Sequence, residues 1–318
     1  MRAVCSTNYD GPSGVKVLEI DAPTRADNEV LVEVKAVAPA FPDLLMSRGQ
    51  YQVKPEPPFS PGSDFTGVVI ESPQGSEFIP GTRVAGCVSY GAAAERVSVT
   101  EDRLYPLPED LDFVEGATIP MNYLTAHFAL VTRGGLAKGD WVMVLGASGG
   151  VGLAAIQVAA GLGAQIVAVV SSDERAKVAV AAGAHHAVLR DQVPDKVREL
   201  TGGRGVDLVV DVVGGDIRNA LRALAPLGRV LAVGFASGEI PTVKVNRLLL
   251  TNTDVRGVES DYLWTAGISR AAWDELMTLH REGFIKPVVQ ETGVFDDYGR
   301  ALTKLDERQV VGRIVLSA

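Results

Sequence analysis

The sequence predicts a mixed α/β protein in which a proline-rich β region precedes a doubly wound parallel sheet. Three observations predict it. Over residues 2–108 the apolar runs are short, β-branched and separated by Gly/Pro turns. From about 113 to 257 apolar runs alternate with alanine-rich helical stretches, the pattern of successive β-α-β units. The 318 residues, 47% hydrophobic and 22% charged, suit about two domains of roughly 150 residues each and exclude a disordered chain.

In the β region, strands are expected at 30–37, 65–71, 83–88 and 94–99. Pro39, Pro42, Pro55, Pro57, Pro58, Pro61, Pro73 and Pro80 keep long helices out. Six further strands are expected at 141–145, 165–170, 187–189, 208–212, 229–233 and 254–258. The first of these, Trp-Val-Met-Val-Leu, has no polar alternation, as befits a strand covered on both faces. Helix formers fill 152–162, 173–182, 195–201 and 217–224, and Asp173-Glu174 put negative charge at a positive helix end. A helix at 269–282 and a strand at 313–317 follow. This tail is too short for a core of its own. The expected division is therefore 1–118 completed by 261–318, with 119–260 between.

The net charge of −9, without a block of like charges, argues against a nucleic-acid partner. Two cysteines, Cys5 and Cys87, cannot build a disulfide framework or a four-thiolate zinc site, and read as small core residues. No apolar run reaches the roughly 18 residues of a membrane span, and the N-terminus lacks a secretory pattern. A cytoplasmic protein is expected.

The most informative segment is 144–153, Val-Leu-Gly-Ala-Ser-Gly-Gly-Val-Gly-Leu. It leaves a buried strand and opens a helix, the setting of a dinucleotide site. Gly146 suits the tight turn, and Gly152 lets the helix pack closely. Gly149, Gly150 and Val151 would offer backbone amides to a pyrophosphate at the helix N-terminus, with Ser148 among them. The same letters contain G-x-S-x-G, the nucleophile elbow of α/β-hydrolases. That alternative needs a downstream acid and histidine, and His280 is the only late histidine.

The second strand of the parallel sheet should end beside the adenosine ribose, where an acid selects NAD. Here Ser171-Ser172 precede Asp173-Glu174-Arg175. The two hydroxyls and Arg175 suit a 2′-phosphate, with Arg190 adding charge after the third strand. Asp173 keeps the NAD alternative open. Gly214, Gly234, Phe235 and Ala236 lie at strand carboxyl ends and are assigned to the cofactor wall. The expectation is NADPH over NADH.

These pieces resemble the medium-chain dehydrogenase/reductase superfamily, and within it the zinc-independent quinone oxidoreductases, also called zeta-crystallin-like. The resemblance runs the whole length. Its marks are Pro-Gly-Ser-Asp-Phe-Thr-Gly-Val-Val at 61–69, Pro-Gly-Thr-Arg-Val at 80–84 and Ala-Thr-Ile-Pro-Met-Asn-Tyr-Leu-Thr-Ala at 117–126, with the glycine turn and Gly-Arg-Ile-Val-Leu at 312–316. It implies a GroES-like β domain beside a Rossmann domain, an active cleft between them, and a homodimer pairing sixth strands edge to edge.

Where the superfamily's zinc enzymes carry Gly-His-Glu, this chain reads Gly62-Ser63-Asp64, and the four histidines, His127, His185, His186 and His280, are scattered. A catalytic zinc needs about three protein ligands, so no metal is expected. Without a Lewis acid, an unactivated alcohol is a poor partner, whereas a small electrophile such as a quinone or enone accepts hydride once aligned. The resemblance places Tyr51 toward cofactor and substrate as a hydrogen-bond donor, though a loop aromatic packed under nearby prolines would read the same. Asp43 is a catalytic candidate or a helix-capping acid. Asn122 and Thr125 are placed near the nicotinamide. Ala40-Phe41 stand where related enzymes have an Asn, which makes Phe41 a substrate contact, and Tyr262 lines either the pocket or the dimer interface. Enoyl-thioester or 2-haloacrylate reduction, and a non-catalytic nucleotide-binding scaffold, are the alternatives.

Overall fold

A computed structural model describes residues 1–215 and 217–318. Among them the chain first forms β1 (Arg2–Ser6), β2 (Val15–Glu19), β3 (Glu29–Ala38), α1 (Phe41–Ser47), β4 (Asp64–Glu71), β5 (Arg83–Cys87), β6 (Arg96–Thr100), β7 (Leu104–Pro106) and α2 (Phe113–Gly116). There follow α3 (Pro120–His127), β8 (Trp141–Leu145), α4 (Gly150–Gly161), β9 (Gln165–Val170), α5 (Asp173–Ala181), β10 (His186–Leu189), α6 (Asp195–Leu200), β11 (Val206–Asp211), α7 (Ile217–Ala223), β12 (Leu224–Ala232), α8 (Val245–Thr251) and β13 (Asp254–Gly257). The chain closes through α9 (Tyr262–Thr265), α10 (Ser269–Arg281), β14 (Val289–Val294), α11 (Tyr298–Asp306) and β15 (Arg313–Ser317).

Two compact units result: Met1–Met121 with Pro287–Ala318, and Asn122–Lys286. In the first, β14, β15, β3, β4, β5 and β7 hydrogen-bond in that order, with β6 also on β3. Its core gathers Val30, Val32, Phe65, Val84 and Leu104 from the N-terminal strands with Phe295, Leu302, Ile314 and Leu316 from the tail. The chain's end is thus part of the first unit, as the GroES-like reading requires.

The second unit is a parallel sheet in the order β10-β9-β8-β11-β12-β13. Val142, Met143 and Val144 of β8 are fully buried, as their unbroken apolar run predicts. The strand order reverses between β8 and β11, and Leu145 lies in register with Asp211. Ligands of doubly wound sheets bind outside the strand carboxyl ends at such a switch point.

The expected boundary at 260 is corrected: 261–286 stays with the parallel-sheet unit. The physical reason lies on α10. Leu279 packs so closely on α4 that a Cβ at Gly161 would come within 2.7 Å of it, and Glu275 pairs with His127 on α3 at 2.7 Å. The helix expected from 152 begins two residues earlier, at Gly150, and α8 has no counterpart in the sequence reading.

Candidate functional site

The glycine turn follows β8. Gly146 has a φ of +66°, a conformation that residues with a Cβ avoid, and a Cβ there would lie 2.8 Å from a Val213 methyl. At Gly152 a Cβ would stand 2.3 Å from the Gly146 carbonyl oxygen, so the missing side chain lets α4 rest on the turn. Gly149 differs. It caps α4 with extended backbone, and the nearest atom to a Cβ there would be the Gly146 oxygen at 3.5 Å, an ordinary contact. Among the described residues no neighbour requires a glycine at 149. Its bareness instead leaves room for a ligand to approach amides at the positive end of a twelve-residue helix.

Ser148 in this turn is nearly buried, and Arg175 Nη1 donates to its Oγ at 2.8 Å. Arg175 comes from the first turn of α5, whose N-cap is Ser172; the Ser172 hydroxyl accepts the Arg175 backbone N–H at 3.4 Å. Ser171 and Asp173 are exposed on either side, and Arg190 is exposed after β10. The structure therefore brings Ser148, Ser172 and Arg175 together beside the end of β9. It also removes the hydrolase alternative. A nucleophilic serine needs a base, and Ser148 instead meets a guanidinium, which does not deprotonate.

On the other side of the switch point, Asp211 is buried at the end of β11 and accepts the Val213 and Gly214 N–H groups at 2.9 Å each. Burial pushes its carboxyl up from the usual range, against those two amides and the charge of Arg190. The loops after β11 and β12 are stitched together: Ala236 N–H reaches the Val212 carbonyl at 3.3 Å and Ser237 N–H the Val213 carbonyl at 2.8 Å. Gly214, with φ +72°, could bear no Cβ, since Glu239 O and Phe235 would lie within 3 Å of it. Gly234 has no such crowding, and Phe235 is 40% exposed. On α3, Asn122 and Thr125 are buried, and Tyr123 donates its hydroxyl to Gln157 of α4 at 2.8 Å. The helix continues as a π-helical stretch, Phe128–Arg133, a distortion frequent near functional sites. Tyr262, over half exposed, sets its ring 6.0 Å from Phe128.

In the first unit the catalytic reading of Asp43 is corrected. The residue is fully buried. Its two oxygens accept the Ala40 N–H at 2.7 Å and the Gly62 N–H at 2.9 Å, so it caps α1 and pins a distant turn. Phe41 is half-buried against the β core. Tyr51 is half-buried in the bend after α1.

The sequence reading missed a buried polar cluster around Asp43. Arg313 Nη2 donates to Asp64 Oδ2 at 2.9 Å and to the Ala38 carbonyl at 2.6 Å, and the Met121 N–H donates to Asp64 Oδ1 at 2.7 Å. The Tyr298 hydroxyl neighbours Asp43 without a hydrogen bond of good geometry. Burial pushes the Asp64 carboxyl up to about 6 despite the pull of Arg313, and burial likewise raises Asp43. The available signal was Arg313, a charge at the head of an otherwise apolar closing strand.

These donors do not fit a zinc site. Asp64 is taken by Arg313 and Met121, while Ser63 lies beside it. His127 holds Glu275, His185 Nδ1 accepts the Ile166 N–H, His186 stacks on Trp141, and His280 Nδ1 lies 3.2 Å from the Ile285 carbonyl oxygen. Among the described residues no group of three His, Cys, Asp or Glu side chains converges. The glycine turn with Ser148, Ser172 and Arg175 does fit a phosphorylated dinucleotide, because it joins an uncrowded helix N-terminus to a guanidinium and two hydroxyls.

Two family models match the chain: the alcohol dehydrogenase GroES-like domain over residues 26–109, and the zinc-binding dehydrogenase model over 150–279. Quinone oxidoreductase-like protein 2 of Bos taurus is 34% identical over 302 residues, covering 91% of this chain and 85% of that protein. A crystal structure of a probable oxidoreductase from Mycobacterium abscessus superposes with a TM-score of 0.92 at 39% identity, covering 100% and 99% of the two chains. The quinone oxidoreductase of Thermus thermophilus, solved alone and in complex with NADPH, gives 0.85 at 32% identity with both chains covered in full.

Proposed function

The chain belongs to the quinone oxidoreductase family of the medium-chain dehydrogenase/reductase superfamily, and on that premise we propose that it is an NADPH-dependent enzyme that reduces quinones or other conjugated carbonyls without a metal. One observation carries the cofactor reading: the Arg175 guanidinium bonded to Ser148, next to a Gly149 that no contact among the described residues explains. The Thermus thermophilus relative solved with NADPH supports it.

On this reading the amides of Gly149, Gly150 and Val151 receive the pyrophosphate, with the α4 dipole adding attraction. Ser171, Ser172 and Arg175 face the adenosine ribose and its phosphate, and Arg190 adds positive charge. Gly146 and Gly152 shape the turn. Asn122, Thr125, Gly214, Gly234, Phe235 and Ala236 border the nicotinamide end. NADPH, when bound, supplies a hydride from the nicotinamide ring. The protein's own work is to hold donor and acceptor in line and to exclude water. Tyr51 offers a hydroxyl to the acceptor oxygen, where negative charge gathers as a quinone or enone is reduced. Such an acceptor delocalises that charge itself, which relieves the protein of the Lewis acid that its donor set does not assemble.

Val245, Leu249 and Leu250 of α8 are each more than 70% exposed, and β13, at the sheet edge, pairs with β12 alone among the described strands. An open edge beside an apolar helix suits a second copy of the chain, a homodimer that light scattering would detect. Both cysteines are free thiols, in keeping with a cytoplasmic protein; no described helix is long and apolar enough to cross a membrane.

The direct test is loss of NADPH absorbance with benzoquinone, phenanthrenequinone, a 2-alkenal or a 2-enoyl thioester. Acceleration by any of the first three supports the proposal, and activity confined to the thioester moves the acceptor class. Tight NADPH binding with no turnover on any acceptor would mean a nucleotide-binding scaffold instead.

A further inference from the structure

We propose that Ser148 is a positioning residue for cofactor choice: it holds the Arg175 guanidinium against the glycine turn, so that the site distinguishes a nucleotide with a ribose phosphate from one without. The inference rests on the NADPH reading above and goes beyond it by giving the Ser148 hydroxyl a part in cofactor choice.

The bond spans two different β-α turns, between residues 27 positions apart. Its acceptor end lies in a hydrogen-bonded turn: the Ala147 N–H donates to the Val169 carbonyl at 3.3 Å and the Gly149 N–H to the Gly146 carbonyl at 3.0 Å. The backbone on both sides of Ser148 is thus held. The donor end is a long, rotatable arginine stem whose ordering otherwise costs on the order of 2 kcal/mol of rotamer entropy. The Ser172 cap fixes the stem's root, since the Arg175 amide is held by that hydroxyl. Root and tip are thus both restrained before any nucleotide arrives.

The chemistry of the pair follows from its donor count. A serine hydroxyl that accepts from a guanidinium keeps its own proton to donate, and the guanidinium has five N–H groups, of which this bond uses one. The pair thus joins a hydroxyl proton to a fixed positive charge, a combination that an anion satisfies and a ribose hydroxyl satisfies poorly. Exposed Asp173 stands close by in sequence and would favour the unphosphorylated nucleotide, so an arginine left to wander would blur the choice.

The test is equilibrium binding of NADPH and NADH to wild type, Ser148→Ala, Ser148→Thr and Arg175→Ala, with the Ser148→Ala/Arg175→Ala double variant. Ser148→Ala is expected to raise the Kd for NADPH about tenfold and that for NADH less than about twofold, the loss of one charge-assisted bond. Ser148→Thr, which keeps the hydroxyl, is expected to restore the preference. In the Arg175→Ala background, Ser148→Ala should leave the NADPH-to-NADH ratio unchanged, because the two act as one unit. Equal weakening toward both nucleotides would overturn the proposal, as a mere distortion of the turn predicts; so would an unchanged ratio in Ser148→Ala. A wild type that binds NADPH no more tightly than NADH would instead refute the cofactor reading beneath it.

Discussion

Gly149 and Gly152 sit one helical turn apart and answer to different partners. A Cβ at Gly152 collides with the Gly146 carbonyl at 2.3 Å, an unyielding backbone atom, whereas one at Gly149 meets nothing closer than 3.5 Å among the described residues. Gly152→Ala is accordingly expected to lower stability by roughly 2 kcal/mol or more through overpacking. Gly149→Ala should cost no more than about 1 kcal/mol, the loss of a favourable N-cap glycine to a poor N-cap alanine, yet weaken dinucleotide binding about tenfold or more by filling the approach to the amides. Urea unfolding and NADPH titration of the two variants measure both effects, and equal loss of stability would contradict the assignment. The glycine turn was legible in the sequence because its chemistry is local: strand, glycines and helix follow one another within ten residues. Asp43 was legible only in part. Its cap on the Ala40 amide is local, but its second bond goes to the Gly62 amide, 19 positions away, and no local pattern announces that partner.

Elements with long apolar runs were legible for the same reason, and β8 and β9 fall where their sequences predict. The placement of α10 was not, because an amphipathic helix shows that it has a buried face without showing what buries it. Its neighbourhood is fixed by particulars such as Leu279 against Gly161. A second such particular is Gln157 on α4, almost fully buried. It accepts the Tyr123 hydroxyl at 2.8 Å and the Lys286 N–H at 3.0 Å, and donates to the Lys286 carbonyl at 2.8 Å. The amide thus joins α3, α4 and the end of the second unit. Gln157→Leu keeps an apolar body but strips these groups of their partner, at about 3 kcal/mol for buried unsatisfied polar atoms. Denaturant unfolding reads the loss; a change within about 0.5 kcal/mol would show that these bonds hold nothing together.

At the scale of the whole chain, the first unit is closed by its last residues. Arg313 reaches Asp64 across 249 positions, with Asp43 and Tyr298 packed around them. The Asp64 carboxyl, at about 6 in the folded protein against 3.8 ordinarily, holds its proton after the unfolded chain has lost it. Folding stability from this group therefore falls as pH rises through about 4 to 6, by an amount on the order of 3 kcal/mol. The Asp64→Asn protein lacks that titration, so the stability of wild type relative to it should decline across this window in denaturant melts. A relative stability that instead grows with pH would mean that Arg313 outweighs burial. The sequence disclosed the parallel sheet and the family but not this cluster, since a charged residue on a strand reads as solvated until the partner strand is known.

On the proposed function, this fold delivers hydride to acceptors that need no metal. The most direct measurement is the rate of NADPH oxidation by phenanthrenequinone before and after exhaustive chelation, with elemental analysis of the treated protein. Turnover is expected to survive complete removal of transition metals and not to rise when zinc is added back. Activity that vanishes on chelation and returns with stoichiometric zinc would contradict the proposed function.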